Sequence, residues 1–241
     1  MNLRDLLKFH LVPTRWHMAN VCRRLRKLEP EVAILPHLVA HDRIALDVGA
    51  NKGGYTCTLL GLASAVHAFE PNPALIPWLS RLRDTRLTIH PLALGDCTGE
   101  ALLRVPFGPS GRPSKQGATL AVTERTRNSC IEVPISVCRL DDLELGDIGF
   151  IKIDVEGFEA RVIDGARETI ARCRPAMLIE IEERHTGEPP SALIERIVAL
   201  GYACYALSAS VLTDWQAVEL DRQSIFNWIF LPRAGRFATA S

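Results

Sequence analysis

The stretch RIALDVGANKGGYTCTLLG, residues 43–61, joins an apolar run to a glycine-rich turn and then to a helix-like pattern. The turn, Asp47-Val48-Gly49-Ala50-Asn51-Lys52-Gly53-Gly54, decides what ligand the unit suits. It does not meet the dinucleotide fingerprint G-x-G-x-x-G, because Asn51 stands where the second glycine belongs. It also lacks the G-K-[ST] ending of a nucleoside-triphosphate loop, since Lys52 is followed by Gly53. What remains is an acid at the strand end, a glycine two residues later and a small turn opening a helix. A carboxylate there repels a pyrophosphate and attracts an ammonium or sulfonium. Gly49 and Gly53 let backbone approach a ligand closely, and amides at a helix start can donate to a carboxylate. A zwitterionic amino acid carried on an adenosine, S-adenosylmethionine, meets both needs.

Two further segments extend the site. In VHAFEPNP, Glu70 ends the second apolar run at about the 20-residue offset where such folds hold ribose hydroxyls. Its alternative role is to cap the helix after Pro71-Asn72-Pro73. In FIKIDVEGFEARVI an apolar strand runs into Asp154, Glu156 and Glu159, with Gly157 at the bend. Ligands of open parallel sheets sit beyond the carboxyl ends of the strands, so Asp154 should share a cavity with Asp47 and Glu70. Glu156 and Glu159 also read as first-turn acids opposing the helix dipole.

Outward from these segments, apolar runs alternate with helical stretches. The pattern predicts strands at 44–48, 65–69, 87–92, 150–155, 176–181, 202–207 and 225–231. It predicts helices at 54–62, 74–83, 158–172 and 191–200, the last capped by Ser191 and stopped by Gly201. Strands alternating with helices imply a parallel sheet covered on both faces. Between Gly99 and Leu143 the alternation stops. EALLRVPF and CIEVPISVCRL read as strands flanking GPSGRPSKQGATL, a loop of a size that often covers a site. Residues 1–40 read as helical, broken near Pro13, Pro30 and Pro36, with Leu6, Leu7, His10 and Leu11 on one face.

At 241 residues the chain suits one domain, 41–234, preceded by the helical extension 1–40. Lys+Arg and Asp+Glu both number 28, so the chain lacks the basic footprint of a general nucleic-acid binder. Charge is uneven, however. Arg4, Lys8, Arg15, Arg23, Arg24, Arg26 and Lys27 face only Asp5 and Glu29 near the N-terminus. That segment suits a cap, an acidic partner or weak contact with a membrane surface. No run is long and apolar enough for a membrane span, and no signal peptide is visible. The seven cysteines are scattered and never spaced C-x-x-C, which fits a reducing cytoplasm rather than zinc or disulfides.

The ordered set DVGANKGGYT, FEPNP, HPLALGD, RLDDL and IKIDVEGFE, followed by GARETI and RPAMLIEIEE, resembles the FkbM family of S-adenosylmethionine-dependent methyltransferases. The resemblance implies a Rossmann-like class I methyltransferase fold. This is an α/β, doubly wound, mostly parallel seven-stranded sheet, its last strand antiparallel between the fifth and sixth. It implies that Asp47, Gly49, Asn51 and Gly53 line the methionine part of the cofactor, with Ala50, Tyr55 and Asn72 as further contacts. Glu70 would hold the ribose, Ala93, Leu94 and Asp96 would border the adenine, and Asp154 would sit near the transferred methyl. The implied acceptor is a hydroxyl of a sugar, glycolipid or secondary metabolite, a small molecule or glycan rather than a nucleic acid.

Methyl transfer from a sulfonium is an in-line displacement in which alignment carries much of the rate. An alcohol benefits from a base as the new bond forms. Asp154 is the first candidate, Glu156 the second and His185 in EERHTG the third, although His185 also reads as an exposed loop residue. His90 reads as a strand-end residue near the adenine edge. Asp154, Glu156 and Glu182 lack a dedicated metal-ligand spacing, so no metal is assigned. Two other readings compete: a non-catalytic cofactor-binding module of the same fold, and a nicotinamide-dependent reductase, for which the turn lacks the glycines.

Overall fold

Strand β1, Ile44–Val48, lies inside an eight-stranded sheet. The computed structural model describes residues 14–108, 111, 113–114, 117–121, 130–208, 210–218 and 225–233. The other strands of this sheet are β2 (Ala65–Phe69), β3 (Leu87–His90), β7 (Ile148–Ile153), β8 (Ala176–Glu180), β9 (Tyr202–Ser208), β10 (Val211–Asp214) and β11 (Asn227–Pro232). Their order is β10-β9-β11-β8-β7-β1-β2-β3. The run from β8 to β3 is parallel, and β11 lies antiparallel between β8 and β9. The antiparallel strand is where the family resemblance implied it.

Alternation along the strands builds two cores. Leu46, Val48, Ile151, Ile153, Met177 and Ile179 pack on one face with Ile163, Ile170 and Ile197 from the covering helices. Ala45, Val66, Phe150, Leu178 and Ile229 pack on the other face with Leu59. Strand β7 is buried along its whole length, as a central parallel strand covered on both sides must be.

The helices are α1 (Thr14–Leu28), α2 (Leu35–Leu38), α3 (Gly54–Leu60), α4 (Ile76–Leu79), α5 (Glu159–Asp164), α6 (Arg167–Cys173), α7 (Glu183–Thr186) and α8 (Pro190–Ala199). Val32, Leu35 and Val39 join the second core, so this part of the N-terminal extension is packed into the sheet's own interior. A Cβ on Gly54 would lie 3.5 Å from Val21 and 3.6 Å from Leu25, which seats α1 against the start of α3. The apolar face at Leu6, Leu7, His10 and Leu11 lies outside the described residues.

Several boundaries differ from the sequence reading for identifiable reasons. The predicted strand 87–92 stops at His90, before Pro91, which has no N–H for the ladder. Ala93–Leu94 (β4) instead joins a second sheet with β6 (Cys130–Cys138) and β5 (Gly99–Pro106) in the order β4-β6-β5. The two long strands, antiparallel to each other, are the predicted excursion. The helix predicted over 158–172 divides at Gly165, where a Cβ would stand 1.8 Å from the Gly95 carbonyl oxygen. The helix 74–83 contracts to α4 followed by a 3-10 turn, Ser80–Leu82. Helix α8 starts at Pro190 with Pro189 extended before it, so Ser191 is not its cap. The eighth strand, β10, pairs with β9 across a tight turn containing Ser210 at φ +67°.

Candidate active site

The carboxyl ends of β1, β2 and β7 converge on a cavity. Val48 and Gly49 come from β1 and its turn, Phe69 and Glu70 from β2, and Asp154, Val155 and Glu156 from the end of β7. Ala93, Leu94 and Phe158 form an apolar wall, and Gly117–Leu120 of the excursion close another side. Of the residues singled out from sequence, Gly49, Asn51, Glu70, Ala93, Leu94, Asp154 and Glu156 therefore come together here. Asp47, Ala50, Gly53, Tyr55, Asn72 and Asp96 do not line the cavity.

The turn is built by close approach. Gly49 has φ +86°, and a Cβ there would stand 1.8 Å from the Asp154 carbonyl oxygen, so no other residue fits without moving β7. Asn51 at φ +50° and Gly53 at φ +84° complete the left-handed path into α3. The amides of Gly49 and Ala50 both donate to the Phe69 carbonyl, and that of Gly53 to Ala50. The Asn51 amide donates to Glu70 Oε2 at 2.7 Å, and the Asn72 amide donates to Glu70 Oε1 at 2.8 Å. The amides of Gly49, Ala50, Asn51 and Gly53 are thus engaged inside the protein. Glu70 is thereby the joint between the two strand ends, and it also lines the cavity.

Acids crowd this edge of the sheet. Asp47 is buried and accepts the Thr56 hydroxyl at 2.5 Å. Burial pushes its carboxyl up to about 6, and Asp154 adds to the effect. Burial pushes Glu70 up to about 7 against the two amides that stabilise its anion. Asp154 is raised by burial and by Glu156 and Glu29, with Lys152 opposing. Glu180 at the end of β8 is pushed up to about 9, by burial and then by Asp154. The cation inside this cluster is Lys152, which is buried in β7. Its Nζ donates to Asn227 Oδ1 at 3.1 Å, lies 4.0 Å from Glu180 Oε2 and sits 5.0 Å above the Tyr55 ring. Sequence reading missed Lys152 and Glu180, yet a lysine inside the apolar run FIKI was a visible signal, since buried lysines are almost always paired. Tyr55 instead donates to Glu29 Oε2 at 2.5 Å, tying α3 to the end of α1.

The remaining candidates separate clearly. Glu159 is buried and accepts the Val155 and Gly157 amides at 3.2 and 3.1 Å, so it caps its own bend. Asp96 pairs with Arg161. His90 stacks on Phe69, with centroids 4.4 Å apart, behind the cavity wall. His185 is buried, not an exposed loop residue, and its Nε2 lies 3.0 Å from Glu156 Oε2. Residues this far apart in the chain meet only because β7 and β8 are sheet neighbours.

A mostly parallel sheet with an antiparallel strand inserted near its end, and a cavity at the switch from β1 to β7, define a class I methyltransferase fold. The family model "Methyltransferase FkbM domain" matches residues 47–204, and the chain belongs to this family. An FkbM methyltransferase from Methylobacillus flagellatus is similar at 22% identity and a TM-score of 0.51, with 78% of this chain covered. This chain spans 43% of that protein's length. An rRNA methylase from Streptococcus thermophilus is similar at 14% identity and TM-score 0.47, covering 84% of this chain and 93% of its own. A TehB-like methyltransferase from Corynebacterium glutamicum follows at 13%, TM-score 0.46, covering 91% and 100%. None of the curated proteins matches the chain. The family's cofactor is S-adenosylmethionine, and the cavity fits it in kind: an apolar wall for a flat base, a carboxylate for a ribose and an acid cluster for a cation. No helix among the described residues is long and apolar enough to cross a membrane.

Proposed function

We propose that the chain is an S-adenosylmethionine-dependent O-methyltransferase acting on a hydroxyl of a sugar, glycolipid or secondary metabolite. The observation that carries this reading is the excess of carboxylates at this edge of the sheet, buried Asp47 and Glu70 with partly buried Asp154 and Glu180, around the buried Lys152. Such a cluster favours a cationic ligand and disfavours a dinucleotide pyrophosphate. The bound cofactor supplies a methyl group on a cationic sulfur.

In this reading Glu70 holds the ribose hydroxyls, and Ala93, Leu94 and Phe158 face the adenine. Gly49 and Asn51 border the methionine part, with Ala50, Gly53 and Asn72 shaping the turns behind them and Asp47 and Tyr55 acting from beneath. Asp154 stands nearest the reacting methyl, and Glu156 faces the acceptor's hydroxyl. The loop Gly117–Leu120 excludes water from that side. Val32, Leu35 and Val39, in the described part of the N-terminal extension, pack against the domain 41–234, and a reducing cytoplasm suits the seven unbridged cysteines.

Comparing metabolites of cells with and without the gene tests the proposal. A hydroxylated compound should gain a methyl ether only when the gene is present. Cofactor binding by the purified protein with no methylated product would identify a non-catalytic module instead. Methylated nucleotides in RNA would replace the small acceptor with a nucleic acid.

A further inference from the structure

Glu156 is the meeting point of three segments. Its backbone is held at φ +54°, a left-handed conformation that costs energy for a residue with a side chain. Its Oε1 accepts the Gly117 amide at 3.1 Å, and its carbonyl accepts the Thr119 hydroxyl at 2.6 Å, which fastens the excursion loop over the cavity. Its Oε2 lies 3.0 Å from His185 Nε2 in α7. The next residue, Gly157, has φ +102°, and a Cβ there would stand 2.9 Å from the His185 carbonyl oxygen. The bend after β7 and the turn after β8 therefore fit against each other with no room to spare, and the fit brings an imidazole to within 3.0 Å of a carboxylate on the cavity wall.

We propose that Glu156 and His185 form one proton-accepting unit for the acceptor hydroxyl, with Glu156 facing the cavity and His185 behind it as its positioning and proton-storing partner. The proposal rests on the methyl-transfer reading. As the new O–C bond forms, the acceptor's O–H bond breaks and its electron pair stays on oxygen. The proton passes to the Glu156 carboxylate and across the contact to His185 Nε2, leaving a carboxylate–imidazolium pair. A lone carboxylate is too weak a base to hold that proton near neutral pH, whereas an imidazole is matched to it. The charged groups facing His185 are Glu156 from the bend after β7, and Glu182 and Arg184 from its own segment. Burial lowers the imidazole, but Glu156 and Glu182 together outweigh it and the net direction is upward. Arg184 is taken up by Glu182, with which it forms an ion pair.

The test follows the His185 imidazole by NMR titration in histidine-labelled protein, free, with S-adenosylhomocysteine and with S-adenosylmethionine. The two ligands differ by a methyl and a positive charge. If the pair faces the transferred methyl, the cationic ligand should move the His185 midpoint down by about half a pH unit relative to the neutral one. His37 and His41 should stay unmoved. In Glu156→Gln the midpoint should fall below that of the wild type. Equal midpoints with both ligands, or an unchanged midpoint in Glu156→Gln, would overturn the proposal. Calorimetry on the same samples keeps the two levels apart. Binding of neither ligand would remove the methyl-transfer reading and this proposal with it, whereas binding with equal midpoints removes only the proposal.

Discussion

The Glu70 carboxylate accepts the Asn51 amide at 2.7 Å and the Asn72 amide at 2.8 Å, so one side chain ties the turn after β1 to the turn after β2. Glu70 also lines the cavity. Glu70→Ala leaves two amides without their acceptor, at a cost of roughly 1–3 kcal/mol for each buried group. It should lower Tm and weaken S-adenosylhomocysteine binding at least about tenfold by calorimetry, by removing both the anion and the turn geometry. Glu70→Gln should preserve more of the fold and lose most of the affinity.

Gly49 tests the close approach at the first turn. Gly49→Ala puts a methyl 1.8 Å from the Asp154 carbonyl at φ +86°. The variant should lose cofactor binding and melt well below the wild type, or fail to fold. Gly99→Ala, whose Cβ meets nothing within 4 Å, should melt within about a degree of the wild type. Comparable losses in both would show that the turn is not the constrained element.

The acid cluster makes stability depend on pH in a defined direction. Asp47, Glu70 and Glu180 are raised in the folded state to about 6, 7 and 9. Above the ordinary carboxylate range the folded chain binds more protons than the unfolded one, so stability falls as pH rises through these values. Tm without cofactor should drop by several degrees between about pH 5.5 and about pH 8.5. Affinity for S-adenosylmethionine should rise over the same window, because a cation favours the ionised acids and binding releases protons. A flat Tm profile would show that the cluster is not charged as described.

Asp154 extends the same logic to a single residue. Asp154→Asn removes one anion that repels Glu180 and Glu70. The variant should melt a few degrees higher than wild type near pH 8 and bind S-adenosylmethionine at least about tenfold more weakly. Unchanged binding would remove Asp154 from the cofactor site.

Much of the fold was legible because its signals are local. Ile44–Val48 and Ala65–Phe69 match their predicted limits, each being an apolar run ended by a turn or an acid. What the sequence hid depends on distant contacts. Gly149 sits within β7 because a Cβ there would meet Arg43 at 2.8 Å, so a residue that reads as a strand breaker is a packing requirement. The break at Gly165 is set by the Gly95 carbonyl, far away in the chain. Asp47, Glu70 and Asp154 were readable as strand-end acids, but the sequence could not show that Asp47 turns inward to Thr56. Nor could it show that His185 is buried against Glu156, since that pair exists only through the adjacency of β7 and β8.

The most direct test of the account is transfer of a labelled methyl group. The purified protein would be incubated with trideuteromethyl S-adenosylmethionine and an extract from which its own small molecules, glycans and RNA are then separated. The account predicts the label as a methyl ether in the small-molecule or glycan fraction, absent when heat-inactivated protein is used. Label on a nitrogen or carbon, label confined to RNA, or no transfer from a protein that binds the donor would contradict it.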